Sequence, residues 1–206
     1  MHPLLPIHDG SASVGLFGRL TKSVERHIER GNGLVIRPPD MDDFSQWVQL
    51  RAQSRAFLTP WEPKWADDDL TRSAYRRRYF NDDDPDSLHP YFVFDETTGA
   101  LVGGISFGHV RRGVAQSAMM GYWMGEPFAG KGTMTRAVPL ALKQAFGPLG
   151  FRRIEAGCVP RNEASIKVLE KTGFIREGYA REYLCIAGVW EDHVLYARLK
   201  TDTFKP

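Results

Sequence analysis

The stretch from Ser117 to Phe174 constrains the fold more than any other. It opens on an apolar run, SAMMGYWM, and passes through the glycine-rich loop GEPFAGKGTM. It continues as TRAVPLALKQAF, RRIEAGCV and NEASIKVLEKTGF. These segments read in turn as strand, loop, helix, strand and helix. A glycine loop that opens a helix offers unpaired N–H groups and partial positive charge to whatever lies beyond the strand. Asn162 is a good N-cap for the second helix and Gly173 its C-terminal stop. Pro139 is expected to kink the first helix or to sit near its first turn.

The loop invites a nucleotide reading, because Gly125, Gly130 and Lys131 fit G-x-x-x-x-G-K. That reading needs a Ser or Thr after the lysine to hold magnesium, and Gly132 stands there. It also needs an acidic residue ending another strand, whereas Glu155 lies inside RRIEAGCV. Two readings survive: a plain turn, or a loop that holds a pyrophosphate without a metal.

The rest of the chain is mixed α and β. LVIRPP is a short strand, and DMDDFSQWVQLRAQ is a helix with Asp40 as N-cap. FLTPWEP is stiffened by two prolines. Residues 70–80 suggest a helix between two acidic loops. YFVFD and ALVGGISFGHV form a hairpin, and two strands flank the Ala187-Gly188 turn. Seven strands result. Residues 1–33 form an extension in which Leu16, Leu20, Val24 and Ile28 recur every four residues among Arg19, Lys22, Arg26 and Arg30. That is a basic amphipathic helix pattern, suited to docking on its own domain, on a partner or on a membrane surface. The globular domain is expected over residues 34–200, followed by a tail at 201–206.

Composition narrows the function classes. A net charge of +2 over 206 residues is too balanced for a protein that grips nucleic acid chiefly by charge, so no direct DNA binding is expected. No apolar run approaches the roughly 20 residues of a membrane helix, and the N-terminus lacks a secretory pattern. Two cysteines in no metal spacing suggest reduced thiols, a cytoplasmic protein and no metal site.

The glycine loop followed by Asn-x-x-Ser, an aliphatic run and Gly-Phe resembles the GNAT acetyltransferases. RAFLTPWEP, AGKGTM, VPRNEASIKVLEKTGF, EGYAREYL and DHVLYARL are similar to one branch, the ribosomal-protein-alanine N-acetyltransferases of the RimJ type. Ala129 and Met134 depart from the wider family's loop pattern, Gln/Arg-x-x-Gly-x-Gly/Ala. The resemblance implies an α/β (α+β) fold with a mixed, mostly antiparallel sheet of six to seven strands. It also implies helices on both faces and a central splayed strand pair. Its implied reaction is acetyl transfer from acetyl-CoA to an amine by direct attack, with no metal.

Site residues follow from the same resemblance. Backbone groups of Tyr122, Trp123 and Met124 would run along the pantetheine, with an N–H near Met124 meeting the oxyanion. Ala129, Gly130, Lys131, Gly132, Thr133 and Met134 would take the pyrophosphate, and Asn162 would bond the pantetheine. Leu169 occupies the position where several relatives carry a tyrosine acid, so Ser165 is the group expected near the departing sulfur. Glu62, in the rigid PWEP loop, is the first candidate base. Glu155 is the second and Glu182 the third. One of Asp192 and His193 should face inward, and Cys158 should be a core thiol near the coenzyme.

The acceptor implied by the branch is the N-terminal alanine of a small-subunit ribosomal protein. An α-amine has a pKa of about 7.7–8.0, so roughly a tenth is neutral at pH 7. A lysine amine, at about 10.4, is neutral roughly once in 2,500. An N-terminal acceptor therefore needs only a mild base. The acidic runs Asp67–Asp69 and Asp82–Asp84 could steer a basic tail. A small amine or polyamine is an alternative acceptor. A ribosome-assembly factor that binds acetyl-CoA without depending on transfer is a further alternative.

Overall fold

The computed structural model describes residues 28–80 and 86–203. Eight strands form one sheet in the order β1-β2-β3-β4-β5-β6-β8-β7. They are β1 (Glu29–Gly31), β2 (Leu34–Arg37), β3 (Leu88–Asp95), β4 (Leu101–Arg111), β5 (Ser117–Met124), β6 (Arg153–Cys158), β7 (Ile175–Ile186) and β8 (Val189–Leu199). The sequence led to seven; the extra strand is β1, which pairs antiparallel with β2 through a turn at Asn32 and Gly33. Both turn residues have positive φ, 57° and 74°, the hairpin geometry that Asn-Gly favours. Sheet structure therefore begins before residue 34. The amphipathic helix expected over residues 16–30 lies outside the described residues up to residue 27, and Glu29 and Arg30 are strand.

Helices cover both faces. They are α1 (Phe44–Gln53), α2 (Arg55–Leu58), α3 (Arg72–Tyr79), α4 (Thr133–Phe146) and α5 (Glu163–Lys171). A short 3-10 turn at Met41–Asp43 leads into α1, with Asp40 and Asp43 forming a reciprocal capping box. On one face Trp47 of α1 and Tyr75 of α3 bury completely against Phe92 of β3. On the other face Ala137, Val138 and Ala141 of α4 and Leu169 of α5 pack on Ile154 and Met120. Pro139 lies in the second turn of α4, and the helix runs through it. It has no N–H to give the Thr135 carbonyl.

One strand pair is parallel, β5 with β6, and its pairing is short. It covers Ser117↔Arg153, Ala118↔Ile154 and Met119↔Glu155, then stops. Strand β5 continues to Met124 and β6 to Cys158 without meeting again. The two strands diverge there and leave a wedge open at their C-terminal ends. Open α/β sheets take ligands at such a place.

Candidate active site

The wedge exposes backbone in a defined register. Gly125 N–H donates to Val102 C=O at 2.9 Å, and Met124 lies opposite Gly103. Met124 and Gly103 are thus a non-hydrogen-bonded pair of the antiparallel ladder, and by alternation Tyr122 and Ile105 are another. The N–H and C=O of Tyr122 and Met124 therefore turn away from β4, toward the gap. Trp123, opposite Gly104, spends its backbone groups on β4. Of the three residues named for the pantetheine, two offer backbone and the third offers a side chain. A Cβ on Gly104 would stand 2.5 Å from Trp123 Nε1, so glycine there makes room for the indole.

Beyond β5 the chain makes a 3-10 turn at Glu126–Phe128 and enters α4. Gly130 and Gly132 have φ of +73° and +70°, which glycine adopts without strain. A Cβ at either would meet no atom within 4 Å, so the space in front of the loop is open. Gly132 is the N-cap of α4 and supplies no side-chain bond. The first bond into the helix runs from Arg136 N–H to Gly132 C=O at 3.1 Å. The N–H groups of Thr133, Met134 and Thr135 have no partner among the described residues, and they carry the positive end of the helix dipole. Lys131 Nζ donates to Pro127 C=O at 2.8 Å, folding back on its own loop.

Across the wedge, Asn162 caps α5 by accepting from Ser165 N–H at 3.1 Å. This places the Ser165 hydroxyl 2.7 Å from the Tyr122 hydroxyl, which also donates to Ser165 C=O at 3.2 Å. Burial raises the Tyr122 pKa above that of a free phenol, with the Ser165 bond opposing. Burial likewise raises the Cys158 thiol, again opposed by a bond with Ser165. Cys158 stays a protonated core thiol, while Tyr122 and Ser165 form a pair of protonated hydroxyls. The sequence singled out Tyr122 for its backbone alone. Period-two alternation after Ala118 and Met120 already aimed its ring at the α4–α5 side, so its hydroxyl was within reach of inference.

The carboxylates are differently placed. Glu62 accepts both Arg51 Nη groups, at 2.6 and 2.7 Å, and Trp65 Nε1 at 2.8 Å. The Arg51 side chain is only 5 % exposed and lies 4.3 Å from the Trp65 ring centroid. Glu62 is therefore the counter-charge of a buried arginine rather than a free base. Glu155 accepts from Arg111 at 2.5 Å and from Arg153 Nε at 2.8 Å, which neutralises it as well. Glu182 is exposed, at φ +44°, and its side chain has no ion pair among the described residues. Asp68 and Asp69 pair with Arg77 and Arg78, tying that acidic loop to α3. Asp82–Asp84 lie outside the described residues. His193 is the inward member of its pair, 2 % exposed. Asp192 is taken by the Tyr179 hydroxyl and the Glu182 N–H.

Two adjoining hollows lie on the α1–α3 face, opposite α4 and α5. One, of about 430 Å³, is lined by Arg51, Glu62, Trp65, Tyr91 and Trp123. The other, of about 740 Å³, is lined by Met119, Gly157, Leu184 and Arg112. Leu88, Ser106 and Gly121 border both. The wedge thus has the glycine loop, α4 and α5 on one side and these hollows on the opposite face. Among the described residues, no group of three or more His, Cys, Asp or Glu could hold a metal ion.

A sheet splayed at β5–β6 over a glycine-loop helix is the architecture of one acyl-transfer family, and the family model for an acetyltransferase (GNAT) domain matches residues 33–175. The chain belongs to that family and is an acetyl-CoA-dependent N-acetyltransferase. It is 37 % identical over 176 residues to the probable N-acetyltransferase YjcK of Bacillus subtilis, covering 84 % of this chain and 97 % of that protein. It is 33 % identical to the [ribosomal protein uS5]-alanine N-acetyltransferase of Escherichia coli, covering 82 % and 89 %. The crystal structure of ribosomal-protein-S5-alanine acetyltransferase from Vibrio fischeri superposes with a TM-score of 0.78 at 30 % identity, covering 87 % of this chain and 100 % of that one. Mycobacterium smegmatis RimJ, in complex with CoA-disulfide, gives 0.71 at 29 % identity, covering 81 % and 82 %.

Proposed function

We propose that this enzyme transfers the acetyl group of acetyl-CoA to the N-terminal α-amine of a protein, a ribosomal protein of the small subunit being the acceptor its relatives point to. The observation that carries the reading is the wedge, with backbone groups on one wall and a hydroxyl pair on the other. Pantetheine would lie along Tyr122 and Met124, and the pyrophosphate would meet the N–H groups that open α4. The Met124 N–H, facing the gap, would receive the oxyanion as the amine attacks the thioester carbon. The Tyr122–Ser165 pair would hydrogen-bond the departing thiolate. Both hydroxyls have high pKa values, so they stabilise the sulfur's charge more than they neutralise it.

The acceptor would enter through the hollows on the α1–α3 face. Ser106 and Gly121, small residues of β4 and β5, border both hollows together with Leu88. Mass spectrometry of a peptide library incubated with labelled acetyl-CoA tests the reading. Label should appear on α-amines, with a preference among N-terminal residues. Label confined to lysine side chains, or transfer only to added polyamines, would overturn it.

A further inference from the structure

A peptide acceptor carries backbone carbonyl groups that a polyamine lacks, and an enzyme that binds them tells the two apart. We propose that the side chains of Trp123 and Ser106 hydrogen-bond the backbone of the acceptor's first and third residues, and so select peptide N-termini over simple amines; the inference rests on the acetyl-transfer reading above. Both residues line the hollow of about 430 Å³. Theirs are the polar side chains that β4 and β5 turn toward it. Gly104 and Gly121 have none, and Tyr122 aims its hydroxyl the other way, at Ser165. Neither Trp123 Nε1 nor Ser106 Oγ has a hydrogen-bond partner among the described residues, and neither atom is sealed from solvent.

The indole is held in place. Arg51, itself fixed by Glu62, lies 5.1 Å from a Trp123 ring centroid, and Phe92 meets Trp123 edge-on at 6.5 Å. Nε1 sits over Gly104, where a Cβ would stand 2.5 Å away. An indole N–H is a donor only, so its partner must be an acceptor such as a peptide carbonyl oxygen. Met124, the next residue, turns its N–H into the gap, where the oxyanion would form. The donor for a first-residue carbonyl thus stands one residue from the donor for the thioester oxygen.

Ser106 lies two residues along β4 from Gly104, a rise of about 7 Å. A Cβ on Gly121 would stand 3.7 Å from Ser106 Oγ, so the glycine leaves space beside that hydroxyl. The same two-residue spacing separates the backbone groups that an extended chain turns to one side. An acceptor whose first carbonyl meets Trp123 therefore brings the N–H and C=O of its third residue to Ser106, whose hydroxyl can serve either. Beyond Ser106 lie the paired Gly108 and Met119, which line the larger hollow and carry the chain onward.

Three acceptors and two variants test this. Trialaninamide offers both groups, alaninamide the first carbonyl alone, and isopropylamine a similar amine with no carbonyl. All three draw on one acetyl-CoA site, so changes there cancel in ratios of kcat/KM. Trp123→Phe keeps a ring and removes the N–H. It should lower kcat/KM for alaninamide about tenfold, and the preference for alaninamide over isopropylamine with it, the worth of one hydrogen bond. Ser106→Ala should lower the preference for trialaninamide over alaninamide about fivefold, and it carries the test if Trp123→Phe does not fold. An unchanged preference for alaninamide in Trp123→Phe would overturn the carbonyl contact. An unchanged preference for trialaninamide in Ser106→Ala would overturn the path along β4. A wild type that acetylates no α-amine overturns the acceptor reading itself, whereas an active wild type with unaffected variants overturns this inference alone.

Discussion

At the scale of single residues, the mechanism proposed for the departing thiolate rests on two hydroxyls that are hydrogen-bonded to each other. Tyr122 and Ser165 share a 2.7 Å hydrogen bond, and Ser165 is itself positioned by the Asn162 cap. Removing either hydroxyl deprives the other of the bond that orients it. Ser165→Ala and Tyr122→Phe should each lower kcat about tenfold, the worth of one lost hydrogen bond to developing charge. The double variant should fall short of the product, because coupled groups are not additive. Steady-state rates for the four proteins check this, with acetyl-CoA affinity as the control; a fully multiplicative double variant would mean that the two act separately. Glu62 shows where reading single residues fails. Its rigid loop was legible from two prolines, but its partner Arg51 is set by how α1 packs, which local sequence does not carry.

At the scale of elements, most of the fold was legible because each element carries its own signals. Strand β5 spans the residues of the quoted apolar run, and α5 is bounded by Asn162 and by Gly173 at φ +80°. Strand β1 escaped because three residues cannot show alternation. Its sole signal was Asn32-Gly33, which needed a partner strand in view to be read as a hairpin turn. The splay was implied by family resemblance, but which backbone groups face it depends on register between β4 and β5, a relation between distant segments. The α4 entrance yields a sharper test. Gly132→Asp places a carboxylate beside the unpaired N–H groups, where it competes with a pyrophosphate for the same dipole. Asp tolerates the left-handed conformation better than most residues, so the loop should persist. Titration calorimetry should show acetyl-CoA binding at least tenfold weaker, on the order of one charge pair near a helix end, while helix content stays unchanged. Undiminished affinity would remove this loop from the coenzyme site.

At the scale of the whole molecule, stability should fall at both ends of the pH range for opposite reasons. Arg112 holds Asp86 below the usual carboxylate range, and Arg153 does the same for Glu177. Such groups stabilise the native state above the ordinary carboxylate pKa, and that stability is lost as pH falls through the depressed native value. The alkaline limb comes from buried phenols. Burial raises Tyr75, Tyr122 and Tyr91, the last to about 12, with Glu29 adding to the rise at Tyr91. The native state then keeps protons that the unfolded chain releases above pH 10, so the stability they lend is complete below about pH 10 and drains away as pH rises. For Tyr91 alone, a rise from 10.0 to about 12 corresponds to a loss on the order of 2 kcal/mol by pH 12. Tyr91 is 5 % exposed, and its hydroxyl makes no hydrogen bond among the described residues. Tyr91→Phe should therefore change stability little at neutral pH. Urea midpoints measured between about pH 8 and pH 11.5 should fall less steeply in the variant than in wild type. Parallel alkaline limbs would mean that the Tyr91 phenol ionises in the native protein as readily as in the unfolded chain.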